Sequence, residues 1–166
     1  MPSSVVPNFS ALEETLEIPQ LTQEEMDAIQ IDWVIKPGTN DTNFYTKHLP
    51  FSLEDSSIGI HYNNHGELPE NVTDEYLKIT HGEFGSNQRR QIRKFRNDFK
   101  LGHTILISQG KVGCLYVAEI ASTYYFHPME DNDICHHRRR IRNIRRVPDT
   151  FTRRPLVQTL SAYNPL

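Results

Sequence analysis

Residues 103–109 and 112–121 are two strongly β segments joined by Gly110-Lys111, and that arrangement commits the chain to a fold built around an antiparallel hairpin. In the second segment Val112, Cys114, Tyr116, Ala118 and Ile120 share one side, while Leu115 and Val117 add apolar weight to the other. A strand that is apolar on both sides belongs in the middle of a sheet covered on both faces. The chain of 166 residues is long enough to bury such a core within one domain, although its apolar share of 37% predicts a modest one.

The remaining elements are short. Residues 1–21, with Pro2, Pro7 and Pro19 and no sustained period, read as a flexible arm ahead of a domain over 22–166. Thr22 with Glu25 three residues later is a capping-box pattern opening a helix over 22–30. Residues 32–36, which hold the sole tryptophan, Trp33, read as a strand ended by Pro37-Gly38, and 57–62 as a second strand. Between them, 39–57 is a polar connection with room for a short helix. Thr73 caps a helix that opens on Asp74 and Glu75, acids that the helix dipole favours there. The clearest helix is 87–99, with Ser86 as N-cap and Ile92, Phe95 and Phe99 on one face. Residues 135–147 read as a bulged strand, or as an edge strand whose outer side faces a ligand. A short element is expected at 156–160.

Charge is distributed in two opposed blocks. Residues 87–154 hold 15 of the 18 basic side chains against 6 acids, a local +9, whereas 1–86 hold 3 basic groups against 15 acids, a local −12. A polyanion responds to a local cationic surface rather than to total charge, so the basic block points to nucleic acid. The other reading is that the acidic half neutralises the basic half inside the fold. The candidate phosphate contacts are Arg89, Arg90 and Arg93 on the predicted helix, Lys111 in the hairpin turn, and Arg138, Arg139, Arg140 and Arg142 on the last strand. Arg89 and Arg90 fall in the first helical turn, where positive charge opposes the dipole and calls for an acidic partner or an anion.

Other chemistries are poorly served. No segment approaches the roughly 20 apolar residues that span a bilayer, and no secretion signal is visible, which predicts a cytosolic or nuclear address and no membrane partner. Cys114 and Cys135 then read as reduced, buried thiols. His127, Cys135, His136 and His137 lack the paired spacing of structural zinc sites, and Glu130, Asp131 and Asp133 sit in a loop with no strand to hold a nuclease centre. No phosphate-cradling glycine loop, Gly-x-Ser-x-Gly elbow or Cys-x-x-Cys pair is present. The expectation is a chain without catalytic residues, metal or cofactor.

Taken in order, the run Trp33-Val34-Ile35-Lys36-Pro37-Gly38, Ile58-Gly59-Ile60-His61-Tyr62 ahead of Gly66-Glu67-Leu68, the 89–99 helix, Gly102-His103-Thr104, Val117-Ala118-Glu119-Ile120, Tyr124-Tyr125 and His137-Arg138-Arg139 before Val147-Pro148 resembles the PUA-like superfamily that includes EVE and YTH domains. The likeness is strongest to the EVE-like amino-terminal modules of McrB-type modification-dependent restriction systems, and it covers 31–160. It implies an α+β fold, a small mixed β-barrel flanked by short helices. It also implies a non-catalytic reader that flips a modified, methylated base of DNA into an aromatic cage, with a nuclease or NTPase effector elsewhere. On that resemblance Trp33, Tyr62, Ser108, Tyr124, Tyr125 and His137 form the base pocket, although Trp33 reads equally well as a core anchor. Related modules often carry tryptophan where Tyr62 stands, which implies a smaller or more polar cage, and aspartate where His103 stands, which implies different hydrogen bonding in that turn. Two further readings stay open: an RNA-binding PUA-like protein of RNA metabolism, and a fragment of a nuclease-associated enzyme.

Overall fold

The computed structural model describes residues 9–35, 47–63, 66–108, 114–131 and 134–149. Helices α1 (Ser10–Thr15) and α2 (Gln23–Ala28) precede strand β1 (Trp33–Ile35), and α3 (Leu49–Asp55) leads into β2 (Ser57–Ile60). Helices α4 (Asp74–Thr80) and α5 (Ser86–Arg93) follow, and α5 widens into a π-helical turn over Lys94–Asp98. Strands β3 (Thr104–Ser108), β4 (Cys114–Ile120), β5 (Tyr125–Phe126) and β6 (His137–Arg146) complete the chain. The protein is therefore α+β, with a mixed sheet curled into a half-barrel.

The strand order is β1-β3-β4-β6-β2, with β5 alongside β6. β1 runs parallel to β3, with Trp33 opposite Ile105, and the other pairs are antiparallel. β4 stands in the middle, as its two apolar sides require. Tyr116, Ala118 and Ile120 face a core shared with Leu53, Leu77, Ile92 and Phe95 from the helices, and Val117 faces a second cluster under Met26 of α2. The hairpin pairing of β3 with β4 is present, while its turn, including Gly110 and Lys111, lies outside the described residues, as does 156–160.

Caps act largely as the sequence predicts. Thr22 Oγ1 accepts from the Glu25 amide at 3.0 Å and Glu25 Oε1 accepts from the Thr22 amide at 2.9 Å, while Thr73 Oγ1 accepts from the Tyr76 amide at 3.0 Å. Three expectations are corrected. Ser86 is the first helical residue and not the cap: Gly85 precedes it, and its amide donates to Gln88 Oε1 at 2.9 Å. The helix does not run regularly to Phe99, because the π-turn intervenes and lets Phe95 and Phe99 stay on the core side. Residues 9–21 are folded rather than an arm: Leu12, Leu16 and Ile18 pack on the core, and Gln20 bridges Arg146. β6 has β2 and β5 on its two sides along its first half and β4 on one side along its second, where the other side is a strand edge between the Ile141 and Arg146 amides, so the strand is both bulged and in part an edge. Its bulge is real, since Asn143 takes φ 55° and Asn143 and Ile144 fall outside the register.

Burial of phenols makes the fold sensitive to alkali. Burial pushes Tyr62 and Tyr124 up to about 12, and it raises Tyr116 and Tyr125 as well. A raised phenol keeps its proton in the fold while the unfolded chain gives it up near 10, so its stabilisation is complete below pH 10 and is lost as pH rises through 12. Arg139, drawn down to about 10 by burial, acts in the opposite sense over that window but is a single group. The melting temperature should therefore fall continuously from pH 10 to 12, with phenolate absorbance appearing at unfolding. A flat melting temperature across that range would contradict these burials.

Candidate nucleic-acid interface

Most of the residues expected to wall a base pocket are packed inside the fold. Trp33 is 7% exposed: its ring lies 4.8 Å from that of Phe99, and its Nε1–H donates to His103 Nδ1 at 2.9 Å. The same Nδ1 accepts the Lys100 amide at 3.1 Å, so His103 serves the turn as an acceptor in the way an aspartate would. Ser108 is buried at the end of β3. His137 is fully buried, with Nε2 at 3.0 Å from the Tyr62 carbonyl and Nδ1 at 2.8 Å from the Tyr124 hydroxyl. A carbonyl can only accept, so Nε2 carries the proton, Tyr124 donates to Nδ1, and the Leu68 amide donates to Tyr124 at 3.0 Å. Trp33, Ser108, Tyr124 and His137 are thus core and clasp residues, because each spends its polar atoms or its area on neighbours.

The arginines of β6 are likewise occupied. Arg138, 3% exposed, donates from Nη1 to Asp55 Oδ2 at 2.9 Å, and Arg140 reaches the same oxygen at 3.1 Å. The two guanidinium groups lie 5.8 and 5.3 Å from the ring centre of Tyr125, whose face they cover. Arg139 is buried and holds backbone carbonyls: Nε donates to Phe95 at 3.0 Å, Nη2 to Arg96 at 3.0 Å and Nη1 to Ser122 at 3.4 Å. Arg142 pairs with Glu119 at 3.1 Å, and Arg146 with Glu13 at 2.7 Å. Asp55 and Glu13 belong to the acidic half of the sequence. At Arg138, Arg140 and Arg146, then, acids of the first half neutralise the basic block, and the expected phosphate contacts at Arg138 and Arg139 are corrected to internal roles, while Arg140 and Arg142 are exposed and hold surface pairs with Asp55 and Glu119.

Helix α5 is different. Arg89 donates to Asp74 Oδ1 at 2.8 Å and to the Phe84 carbonyl at 2.7 Å, and Arg93 stands 3.8 Å from the same carboxylate. Arg90 is exposed and donates to an amide oxygen, Asn87 Oδ1, at 2.6 Å. Lys94 follows one residue after Arg93, its ammonium pulled below the usual lysine value by burial and by the neighbouring Arg90 and Arg93 charges. Among the described residues Asp74 is the one carboxylate within ion-pairing distance of these four cations, and Lys78 also draws on it at 3.4 Å. The competition among Arg89, Lys78 and Arg93 leaves the helix face strongly positive.

Rings line up beside that face. Tyr62 meets Phe84 edge-on at 5.1 Å, Phe84 lies 5.7 Å from His81, and His81 lies 6.2 Å from Tyr76. Tyr62, His81 and Tyr76 are partly exposed, and the Tyr62 hydroxyl points at Gln91 Oε1, 3.5 Å away on α5. Tyr62 also takes φ 38°, an unusual backbone state for a tyrosine, held by the His137 contact to its carbonyl. Of the sequence-predicted residues, the fold therefore sets Tyr62 against Gln91 of α5 and against Phe84, whose carbonyl Arg89 holds, while Tyr125 packs with Arg138 and Arg140. Tyr76, His81, Phe84 and Lys94 were not anticipated. Lys94 was readable from its place next to Arg93, whereas the ring row depends on how α4 docks on α5. Among the described residues no three side chains gather as metal ligands, and no helix is long and apolar enough to cross a membrane.

Residues 33–152 match the family described as "Domain of unknown function (DUF8426)". The chain belongs to the DUF8426 family. No curated protein and no solved structure matches it significantly. The DUF8426 match opens at Trp33 of β1 and closes just past β6, so it takes in the sheet, helices α3 to α5 and the cationic face, and it leaves out α1 and α2.

Proposed function

We propose that this DUF8426 domain is a non-catalytic nucleic-acid reader of PUA-like build, binding DNA that carries a modified base as the recognition module of a modification-dependent restriction system, with a nuclease or NTPase as effector. The observation that carries the reading is the α4–α5 face: Arg89 and Arg93 share Asp74 with Lys78, Arg90 and Lys94 stand beside them with no ion pair among the described residues, and a row of partly exposed rings runs along α4 and the segment after it. Cations on a helix give sequence-independent attraction to phosphates, and rings give a surface on which an unstacked base can lie. Both are needed if a base is to leave the duplex, because extraction costs about a few kcal/mol that phosphate contacts must offset. Tyr62 is the candidate base contact, and Arg90 and Lys94 are the cations with most charge to offer.

The test is fluorescence anisotropy with matched DNA and RNA oligonucleotides, with and without methylcytosine or methyladenine, over a salt series. Replacing both Arg90 and Lys94 with alanine should weaken binding to every oligonucleotide and reduce the salt slope by about 1.8, near 0.9 for each lost contact. Tyr62→Ala should reduce the preference for the modified base by about tenfold, in line with about 1–3 kcal/mol for a stacked base, while leaving the salt slope alone. Equal affinity for modified and plain DNA would remove the reader assignment, tighter binding to RNA would favour a role in RNA metabolism, and a salt slope indifferent to Arg90 and Lys94 would remove the face.

A further inference from the structure

A groove of about 330 Å³ lies between the segment after α1, the end of α3 and the second half of β6, and it shares no residue with the α4–α5 face. That volume is at the low end for ligand sites, which run from about 300 to 1,000 Å³. Its apolar floor is Leu16, Ile18, Leu53 and Ile144, and exposed Glu17 and Glu54 stand at its rim. Neither glutamate forms an ion pair among the described residues. The basic residue at the groove, Arg142, is engaged by Glu119, which also accepts from Asn143 Nδ2 at 3.3 Å. The groove therefore has four apolar side chains on its floor, with two carboxylates and the Glu119-paired Arg142 among its polar lining.

Its wall is an interrupted strand edge. On the side of β6 away from β4, the Ile141 amide donates to the Ser56 carbonyl at 2.9 Å, and among the described residues the next backbone bond is where the Arg146 amide donates to the Pro19 carbonyl at 2.8 Å. Against β4, Glu119 faces Arg142 and Val117 faces Arg145, so Asn143 and Ile144 stand opposite Ala118. The alternation of an antiparallel ladder then turns the Ile144 amide and carbonyl away from β4 and toward the groove. The gap from Ile141 to Arg146 spans about 16 Å of strand. Three of the non-glycine residues with left-handed backbone, Glu17 (φ 57°), Ser56 (φ 53°) and Asn143 (φ 55°), stand around this gap. Each such residue costs about 1 kcal/mol or more, and each marks a break in an element: Glu17 just after α1, Ser56 at the C-cap of α3 and Asn143 at the β6 bulge.

We propose that this groove is a docking site for a short extended segment of a partner protein, about three residues long, which pairs with β6 at Ile144, lays an apolar side chain on the floor and directs a lysine or arginine at Glu17 and Glu54. Addition of a strand supplies backbone hydrogen bonds to any sequence. The floor and the two carboxylates supply selectivity for an apolar, basic segment. A reader domain needs such a surface to join its effector, but the groove stands on its own geometry whatever α5 binds.

The probes are three acetylated and amidated pentapeptides, Lys-Val-Leu-Val-Lys, its counterpart Glu-Val-Leu-Val-Glu, and Lys-Val-Pro-Val-Lys, which lacks the central amide donor. Each is titrated into the full chain by calorimetry and by amide NMR. The lysine–leucine peptide should saturate and bind at least tenfold more tightly than either of the others, with the largest shifts at Asn143, Ile144 and Glu17. Glu54→Lys, at an exposed position, should weaken that peptide about tenfold without changing the melting temperature. Indifference to the sign of the peptide charge, absence of saturation at millimolar peptide, or shifts centred away from the groove would each overturn the proposal. Because no nucleic acid takes part, failure here leaves the reading of α5 untouched, and the reverse also holds.

Discussion

Gly59→Ala should be the most damaging single methyl group that can be added to this protein, lowering its unfolding free energy by about 3 kcal/mol or more. Gly59 stands in β2 opposite Arg138, and a Cβ there would come within 2.6 Å of both Cys135 Cβ and the His137 carbonyl, with Arg138 Cγ at 3.2 Å. Two of those three atoms belong to the backbone or its first carbon, so no rotamer change can relieve the contact. Accommodation would part β2 from β6 and loosen the Arg138–Asp55 pair and the His137 clasp that depend on it. Gly85→Ala is the comparison, since its Cβ would meet nothing closer than Gln88 Oε1 at 4.0 Å, and its cost should stay near the fraction of a kcal/mol typical of a helix cap. Urea denaturation of the two variants decides the matter; similar midpoints would mean that β2 and β6 are not packed as closely as described. If Gly59→Ala yields no folded protein in plain buffer, the same variant in a stabilising osmolyte offers the same reading.

Arg139→Met should lower stability by about 3 kcal/mol, while Arg142→Met at an exposed pair should cost under about 1 kcal/mol. Arg139 is 3% exposed and its fork donates to the Phe95, Arg96 and Ser122 carbonyls. Methionine fills a similar volume but leaves those carbonyls without their donor, and a buried acceptor left unmade costs about 1–3 kcal/mol. Arg139→Lys should recover less than half of the loss, because one ammonium cannot reproduce a planar fork. Denaturant unfolding of the three variants gives the comparison, and a loss for Arg139→Met no greater than for Arg142→Met would refute the clasp. The same clasp bears on function. Phe95 and Arg96 belong to the π-turn that ends α5, and Asn97 adds a reciprocal pair with Val72, from Nδ2 to the carbonyl at 2.8 Å and from the amide to Oδ1 at 3.0 Å. These contacts hold rigid the helix that carries Arg90 and Lys94.

How much was legible from residue order varies with the range of the interaction involved. The central position of β4, the pairing of β3 with β4, the Thr22 and Thr73 caps and the positive charge of α5 all follow from neighbours in the chain, so pattern and local hydrogen bonding were enough to read them. The fate of each arginine was not legible, because Asp55 lies 83 residues from Arg138, and Glu13 lies 133 residues from Arg146. Aromatic residues misled for a related reason. Trp33 and Tyr124 carry the ring and the polar tip that a base cage needs, but those same atoms are satisfied by Phe99 and His103, and by His137 and Leu68.

What the sequence determined by itself was a sheet around one buried hairpin and a surplus of cations in its second half, since periodicity and composition act wherever the chain goes. Only the tertiary structure decided which cations remain available. Folding brought the acids of the first half against β6, where burial makes pairing obligatory, and brought one shared carboxylate to α5, where a solvent-facing helix can carry its charge unneutralised.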